Sequence, residues 1–484
     1  MKMKYLLVAS ALMLGMGTVT LTSCSDDDDN TTVTPGPDGD GDEDGNQGGN
    51  QGGETLSVSG DVSGVWEAGS TVHVTGHLNV PEGETLTIEE GVTVVFDCAQ
   101  VLNGDTGYEF IVSGNLYCKG TEANPVLLTV PEEYRTADYR VRGLWGGIIG
   151  TKTCEEILLD HTIIEYTGSE VTENSPSANL GIYTAGDDQG PQLTTNNVNG
   201  RYVVVNSTLR YGASDAIYMM GGQGIIRDNL FAVNGATGGE AINVKAGCTV
   251  DAANNVIYSP NTNGFKLASS GEGEDVGRYQ ARIVAYNNTI INAGWRRDGN
   301  KGGGIYVENN AMVNVYNNLL VNCKFKAQTP FWGTPGTDDA GADTESVIDY
   351  NYYIAGTQTS TLDFDVEEGT TSPFGNFAYT TNGDGEQVIY PDFIDLHSQQ
   401  SPSAGTPDPL FVNYDFLADD LHNTEYNEAW DFHLQAGSPA LGEGAYSGSD
   451  ADMQPRFQTS GITVDGVKYT SPAPVARYGA LGTK

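Results

Sequence analysis

Five Asn-marked phrases, recurring at about 20 to 35 residues, constrain this chain more than any other feature, because that spacing is the range of solenoid coils. They are Asn206-Ser207-Thr208-Leu209, Asp228-Asn229-Leu230, Asn254-Asn255-Val256-Ile257, Asn287-Asn288-Thr289-Ile290 and Asn317-Asn318-Leu319-Leu320. A second strand-like phrase follows each of the first four: Ala216-Ile217-Tyr218-Met219, Ala241-Ile242-Asn243-Val244, Gly264-Phe265-Lys266-Leu267 and Gly304-Ile305-Tyr306-Val307. One coil therefore reads as a strand, an Asn-marked turn and another strand. Stacking such coils brings like turns into register, so Asn side chains can bond up and down the stack and satisfy amides in a buried bend. Alternation predicts Ile217, Met219, Ile242, Val244, Phe265, Leu267, Ile305 and Val307 as core. Upstream, Val74-Thr75-Gly76-His77-Leu78 nearly recurs as Val112-Ser113-Gly114-Asn115-Leu116. Between them Leu86-Thr87-Ile88 and Val92-Thr93-Val94 alternate at strand period, broken at Gly83 and Gly91.

From about Thr71 to Tyr353 this pattern resembles the right-handed parallel β-helix superfamily that includes pectate lyases and related polysaccharide-active proteins. The resemblance implies an all-β, right-handed parallel β-helix solenoid with N-terminal coils and a C-terminal capping segment. Asp408-Pro409-Leu410-Phe411-Val412, Asp431-Phe432-His433-Leu434, Gly437-Ser438-Pro439-Ala440-Leu441 and Tyr478-Gly479-Ala480 resemble the C-terminal segment of secreted β-helix proteins. That implies a cap over the last coil, which would otherwise expose apolar core and unpaired strand edges. Ala327 to Glu345 and Ala355 to Ser403 read as loop insertions.

The 63 glycines among 484 residues, with few Lys, Arg and Leu, argue against a helical protein. A formal net charge of −41 disfavours nucleic acid and anionic headgroups as partners, and it is compatible with neutral glycans or bound Ca²⁺. Five cysteines besides Cys24 cannot all pair in one chain, so Cys98, Cys118, Cys154, Cys248 and Cys323 read as buried thiols, with a Cys98 to Cys118 bridge as the alternative.

At the N-terminus, Lys2 and Lys4 precede an apolar run from Tyr5 to Val19 that is short for a membrane span, the pattern of a signal peptide. Leu21-Thr22-Ser23-Cys24 resembles the lipobox of bacterial lipoproteins, which implies cleavage before Cys24 and attachment of palmitate-type acyl chains to it. Ser25-Asp26-Asp27-Asp28-Asp29 resembles the surface-export signal of Bacteroides-group lipoproteins. The resulting organisation is a signal peptide over 1–23, an acylated Cys and acidic Gly-rich tether over 24–54, a β-helix over 55–354 and a loop-rich cap over 355–484. The expected location is the outer membrane, lipid-anchored and facing outward.

Aligning the second strands on their core residues predicts an outward row of Tyr218, Asn243, Lys266 and Tyr306, and beside it Met220, Lys245 and Glu308. Asp215, Glu240 and Asn263 fall in register just before these strands, so Asp215 and Glu240 would stack about 4.8 Å apart. Such a pair suits a glycosidase acid and nucleophile, or a shared Ca²⁺. A turn-capping role is the plainer alternative. In a lyase, Lys245, Lys266 or Lys301 would act as base only if burial or a neighbouring cation lowered its pKa towards neutrality. Trp295-Arg296-Arg297-Asp298-Gly299-Asn300-Lys301 is a cationic aromatic loop suited to sugar faces and uronate or sulfate groups, and Phe331-Trp332 is a weaker version of it.

Several signatures are missing. The paired-Asp pattern of polygalacturonase-type hydrolases is not found, Asn300-Lys301-Gly302 is only a fragment of the chondroitinase- and alginate-type lyase constellation, and Leu159-Asp160-His161 is similar to a pectate-lyase phrase without its calcium carboxylates. The sequence thus supports a glycan-binding face first, with a polysaccharide lyase or glycosidase on the same face, or a passive adhesin, as alternatives. A single site requires Asp215, Glu240 and the Trp295 loop to line one groove.

Overall fold

A computed structural model describes residues 55–484 apart from 187, 299–301, 325, 331–340, 355, 357–394, 402–408, 448–449 and 451–452, with backbone alone at 326–330 and 400. It is a parallel β-helix whose strands form three faces. The first face runs through Leu193–Thr195, Ile217–Met219, Ile242–Val244, Phe265–Ala268 and Gly303–Glu308. The second is a ten-stranded sheet that includes Arg201–Val205, Gly222–Arg227, Cys248–Ala253, Arg282–Tyr286 and Met312–Tyr316. The third carries Thr208–Arg210, Leu230–Ala232, Val256–Tyr258, Thr289–Ile291 and Leu319–Val321. The eight predicted core residues are all 0–1% exposed.

A coil therefore has three strands where the phrase pattern predicts two. The missed one is the second-face strand, which shows little alternation because both of its sides are buried. Tyr202 and Val204 face the solenoid core, while Val203 and Val205 are equally buried in an outer cluster with Phe457, Ile462 and Val464. A strand covered on both sides loses the period-2 signal that would reveal it.

The Asn doublets have two jobs at the corner between the second and third faces. The first residue takes a left-handed backbone, with φ of +52° at Asn206, +57° at Asp228, +56° at Asn254, +50° at Asn287 and +55° at Asn317, a conformation that Asn and Asp adopt more readily than most residues. The second points inward and forms a ladder. Asn229 Nδ2 donates to Asn255 Oδ1 (3.0 Å), Asn255 to Asn288 (2.9 Å), Asn288 to Asn318 (3.0 Å) and Asn318 to Asn351 (3.0 Å). Each also donates to a carbonyl one coil back, as Asn288 does to Ala252 O at 3.0 Å. The bend is buried with its polar groups paired.

Ser398 Oγ accepts from Asn351 N (2.9 Å), and Gln399–Gln400 pairs with Tyr352–Ile354, so the solenoid continues past 354. The described residues of 411–484 lie along the second and third faces as a strap, which also reaches the last coils where Gln399 Nε2 donates to Glu443 O (3.0 Å) and the Tyr352 ring meets Tyr478 (5.3 Å). On the second face the buried carboxylate of Asp251 accepts from Arg456 N (3.1 Å), Phe457 N (2.8 Å) and Ser471 Oγ (2.6 Å). On the third, Tyr258 sits among Tyr414, Tyr426, Trp430 and Phe432 and donates to Asp419 (2.6 Å). The Tyr478-Gly479-Ala480 phrase owes its glycine to close approach: with φ at +87°, a Cβ would lie 2.6 Å from Thr289 Oγ1. An apolar strap of this kind covers outward rows that would otherwise be an exposed hydrophobic surface. Cys98, Cys118, Cys154, Cys248 and Cys323 are all free and buried.

Candidate functional site

The first face is the one on which, among the described residues, no hydrogen bond or ring contact from the strap is made. Its outward row forms as the alignment predicts: Tyr218 pairs with Asn243, Asn243 with Lys266, and Lys266 with Tyr306. The neighbouring position carries Lys245 and Glu308, the latter opposite Ala268. Lys245 lies over the Tyr218 ring (5.6 Å to the centroid). Lys266 lies over Tyr306 (5.9 Å) and pairs with Glu308 at 3.1 Å.

These contacts separate the two lysines chemically. Burial first, then the Lys266 charge, lower the Lys245 pKa. Burial alone would lower Lys266 as well, but Glu308 and then Glu240 outweigh it and raise the pKa. The shift at Lys245 runs in the direction a base needs, and the shift at Lys266 runs against it. The Tyr218 phenol is pushed up to about 12 by burial and then by Asp215, Asp188 and Glu240, so it stays protonated and can donate. Tyr306 is likewise raised to about 12, by burial and then Glu308.

Asp215 and Glu240 are stacked neighbours, as expected, but in unequal roles. Asp215 is buried; its Oδ1 accepts from Glu240 N (2.8 Å) and its Oδ2 from Asn243 Nδ2 (2.9 Å), which braces one coil on the next. Glu240 is half-buried, accepts from Asn263 Nδ2 at 3.2 Å and faces an open cleft. Asp215 is therefore the turn-capping residue of the plainer reading, while Glu240 is placed to meet a ligand. Burial, and next the charge of Glu240, push the Asp215 pKa well up. A carboxyl raised on folding adds stability that is fully present below its unfolded value of about 4 and is lost as pH rises through the folded value. Asp215→Asn removes this titration. Its melting temperature should gain on that of the unchanged chain as pH rises above about 4, and parallel pH profiles would show that burial of Asp215 carries no such cost.

The cleft holds about 500 Å³, within the range of small-ligand sites. Asp215, Tyr218, Met220, Thr237, Gly238 and Glu240 line one side. Glu170, Tyr183 and Asp188 line the other, from the segment 166–192 that links the third-face strand Thr162–Glu165 to Leu193–Thr195. The sequence reading missed this wall. Its signal was length, because the equivalent link one coil later is only 211–216. Tyr183 is fixed by a 2.6 Å bond to Thr194 Oγ1 and lies 6.4 Å from the Tyr218 ring. Arg278, also missed, braces the far edge through Met220 O and Asn196 Oδ1. Among the described residues, no three acidic, His or Cys side chains converge as a metal-binding group.

The basic aromatic loop does not line this cleft. Trp295 Nε1 donates to Asn322 O at 2.6 Å, and the Arg296 guanidinium bonds Gly235 O (2.7 Å), Asn234 O (2.7 Å), Ser259 O (2.9 Å) and Ser259 Oγ (3.2 Å). Four carbonyl and hydroxyl acceptors turn Arg296 into a pin between stacked turns, and burial lowers its pKa to about 10. Arg297 reaches only the rim, through Thr237 O. The one-groove requirement therefore fails: Asp215 and Glu240 share the cleft, while turn carbonyls hold Trp295 and Arg296 away from it. Lys301, Phe331, Trp332 and Cys24 lie outside the described residues.

No family model matches the chain, and no curated protein matches it. Among solved structures, a mutant of a PL6-family alginate lyase matches with 13% sequence identity and a TM-score of 0.30, over 72% of this chain and 49% of the lyase chain. The chain thus spans about half the length of that structure.

Proposed function

We propose that the first face binds an extracellular polysaccharide, displayed outside the outer membrane by acylation of Cys24. The observation that carries this is a contrast between faces. Outward side chains on the second and third faces, such as Val203, Ile225, Tyr258 and Tyr286, pack against the strap, whereas among the described residues Tyr218, Asn243, Lys266 and Tyr306 make no contact with it and the row begins in a cleft. Half-buried rings flanked by hydrogen-bonding groups suit a sugar, which offers an apolar face and a polar edge. The acidic, export-directed N-terminal sequence fits a body facing large extracellular molecules.

The test is retention of the purified protein on neutral, uronic and sulfated polysaccharides, with new reducing ends measured in parallel. Retention of one class without new ends is expected. Failure on every class would overturn the reading in favour of an adhesin for protein partners.

The lowered pKa of Lys245 favours a lyase as the second reading. There, neutral Lys245 Nζ takes the proton beside a uronate carboxylate, and that C–H pair becomes a C=C bond. The glycosidic C–O bond breaks, and its oxygen takes the Tyr218 phenolic proton. Activity would then rise with pH through the lowered Lys245 pKa, and both Lys245→Ala and Lys245→Arg would abolish it, since Arg stays charged. Unsaturated-uronate absorbance surviving in Lys245→Arg would exclude Lys245 as the base.

A further inference from the structure

A second cleft opens on the third face, between the coils and the strap. It holds about 340 Å³ and is lined on the coil side by Asn206, Asp228, Leu230, Asn254 and Val256, and on the strap side by Tyr426, Trp430, Asp431, His433 and Leu481. We infer that it is a separate binding site for the neutral end of a glycan.

Three features support that chemistry. The floor is apolar, since Leu230 and Val256 are successive outward residues on the third face. Trp430 forms part of the strap wall, and its orientation is set by Tyr258 and Tyr414, both at 5.0 Å, and by Tyr426 at 5.7 Å. A pre-set indole loses little entropy on stacking against a sugar ring.

The opposite rim offers carboxamides and a carboxylate at fixed spacing. Asn206 Nδ2 donates to Asp160 Oδ1 at 3.0 Å and Asn254 Nδ2 to Asp228 Oδ1 at 3.0 Å, so the amide groups are held in one orientation with their carbonyl oxygens available. Such a rim reads hydroxyls.

Charge decides between a neutral and an ionic ligand. Asp228 is paired with Arg227 (2.5 Å). Asp431 is held by His433 (2.6 Å) and Lys484 (2.8 Å), and its carboxyl is driven far below the usual range, first by the Lys484 bond. Each acid is offset locally, so neither a cation nor an anion has an unpaired counter-charge to meet. The first-face cleft, with Glu170, Asp188 and Glu240, has a different balance. Two sites along a rigid body would let one molecule grip a branched or long polysaccharide at two points.

The test uses the full chain, titrated with neutral gluco-, manno- and galacto-oligosaccharides by calorimetry. At least one series should bind, Trp430→Ala should weaken it about tenfold or more, equal to roughly 1.4 kcal/mol, and Tyr218→Ala should leave it unchanged. Because Trp430 also packs on the strap, Leu230→Trp provides a second variant that fills the floor while leaving the strap residues in place; it should block binding with the melting temperature retained. The inference is overturned if no neutral series binds, if binding survives Leu230→Trp, or if it follows Tyr218→Ala instead. The first-face reading stands or falls separately, on retention that Tyr218→Ala removes and Leu230→Trp does not.

Discussion

Replacing Asn288 with leucine should cost about 3–5 kcal/mol of stability, more than most single substitutions, because it strands several buried polar groups at roughly 1–3 kcal/mol each. Asn288 Nδ2 donates to Ala252 O and Asn318 Oδ1, and its Oδ1 accepts from Asn255 N (3.0 Å) and Asn255 Nδ2 (2.9 Å). Leucine makes none of these bonds, and the site is sealed at 0% exposure, so water cannot replace them. The solenoid makes the damage local, since a coil contacts chiefly its neighbours. Hydrogen exchange should show protection lost around Asn255 and Asn318 first, with the strands near Phe96 least affected. Asn206→Gly is the control: the residue is exposed and its left-handed turn suits glycine, so the change should stay below about 1 kcal/mol. If Asn288→Leu costs no more than the control in denaturant unfolding, the ladder is not what holds the corner.

The second large effect is on binding. Tyr218→Ala should weaken polysaccharide retention about 10- to 100-fold, the equivalent of roughly 1.4 to 2.7 kcal/mol, while changing stability by less than about 1 kcal/mol. Tyr218 combines a ring lining the cleft, a phenol kept protonated, and a face over which Lys245 is held. It points out of the solenoid, so its loss leaves the core residues Ile217 and Met219 in place. Tyr306, three coils away and outside the cleft lining, should matter less. Equal losses from Tyr218→Ala and Tyr306→Ala would mean that the whole row, and not the cleft, makes the contact. No loss from either would remove the aromatic contribution altogether.

Repetition made much of this fold legible. The Asn doublets encode both the left-handed turn and the inward ladder, and the first-face phrases alternate because one side meets the core and the other is open. The outward row could be written down in register for the same reason. The second-face strands were hidden by burial on both sides, and the strap's course was hidden because its contacts, such as Asp251 with Ser471, join residues far apart in sequence. In the site, Tyr218, Glu240 and Lys245 followed from register. Arg296 misled because a cation in a loop looks alike whether it meets a ligand or the carbonyls of Asn234 and Gly235. The wall carrying Tyr183 and Asp188 was visible only as an unusually long link between strands.

The most direct test of the first-face claim is hydroxyl-radical footprinting of the protein with and without the retained polysaccharide. Tyr183, Tyr218 and Met220 should lose oxidation when the polysaccharide binds, whereas Tyr469 of the strap should not change. Protection of Tyr469 with Tyr218 and Met220 left as reactive as in the free protein would contradict the account and move the binding surface to another face.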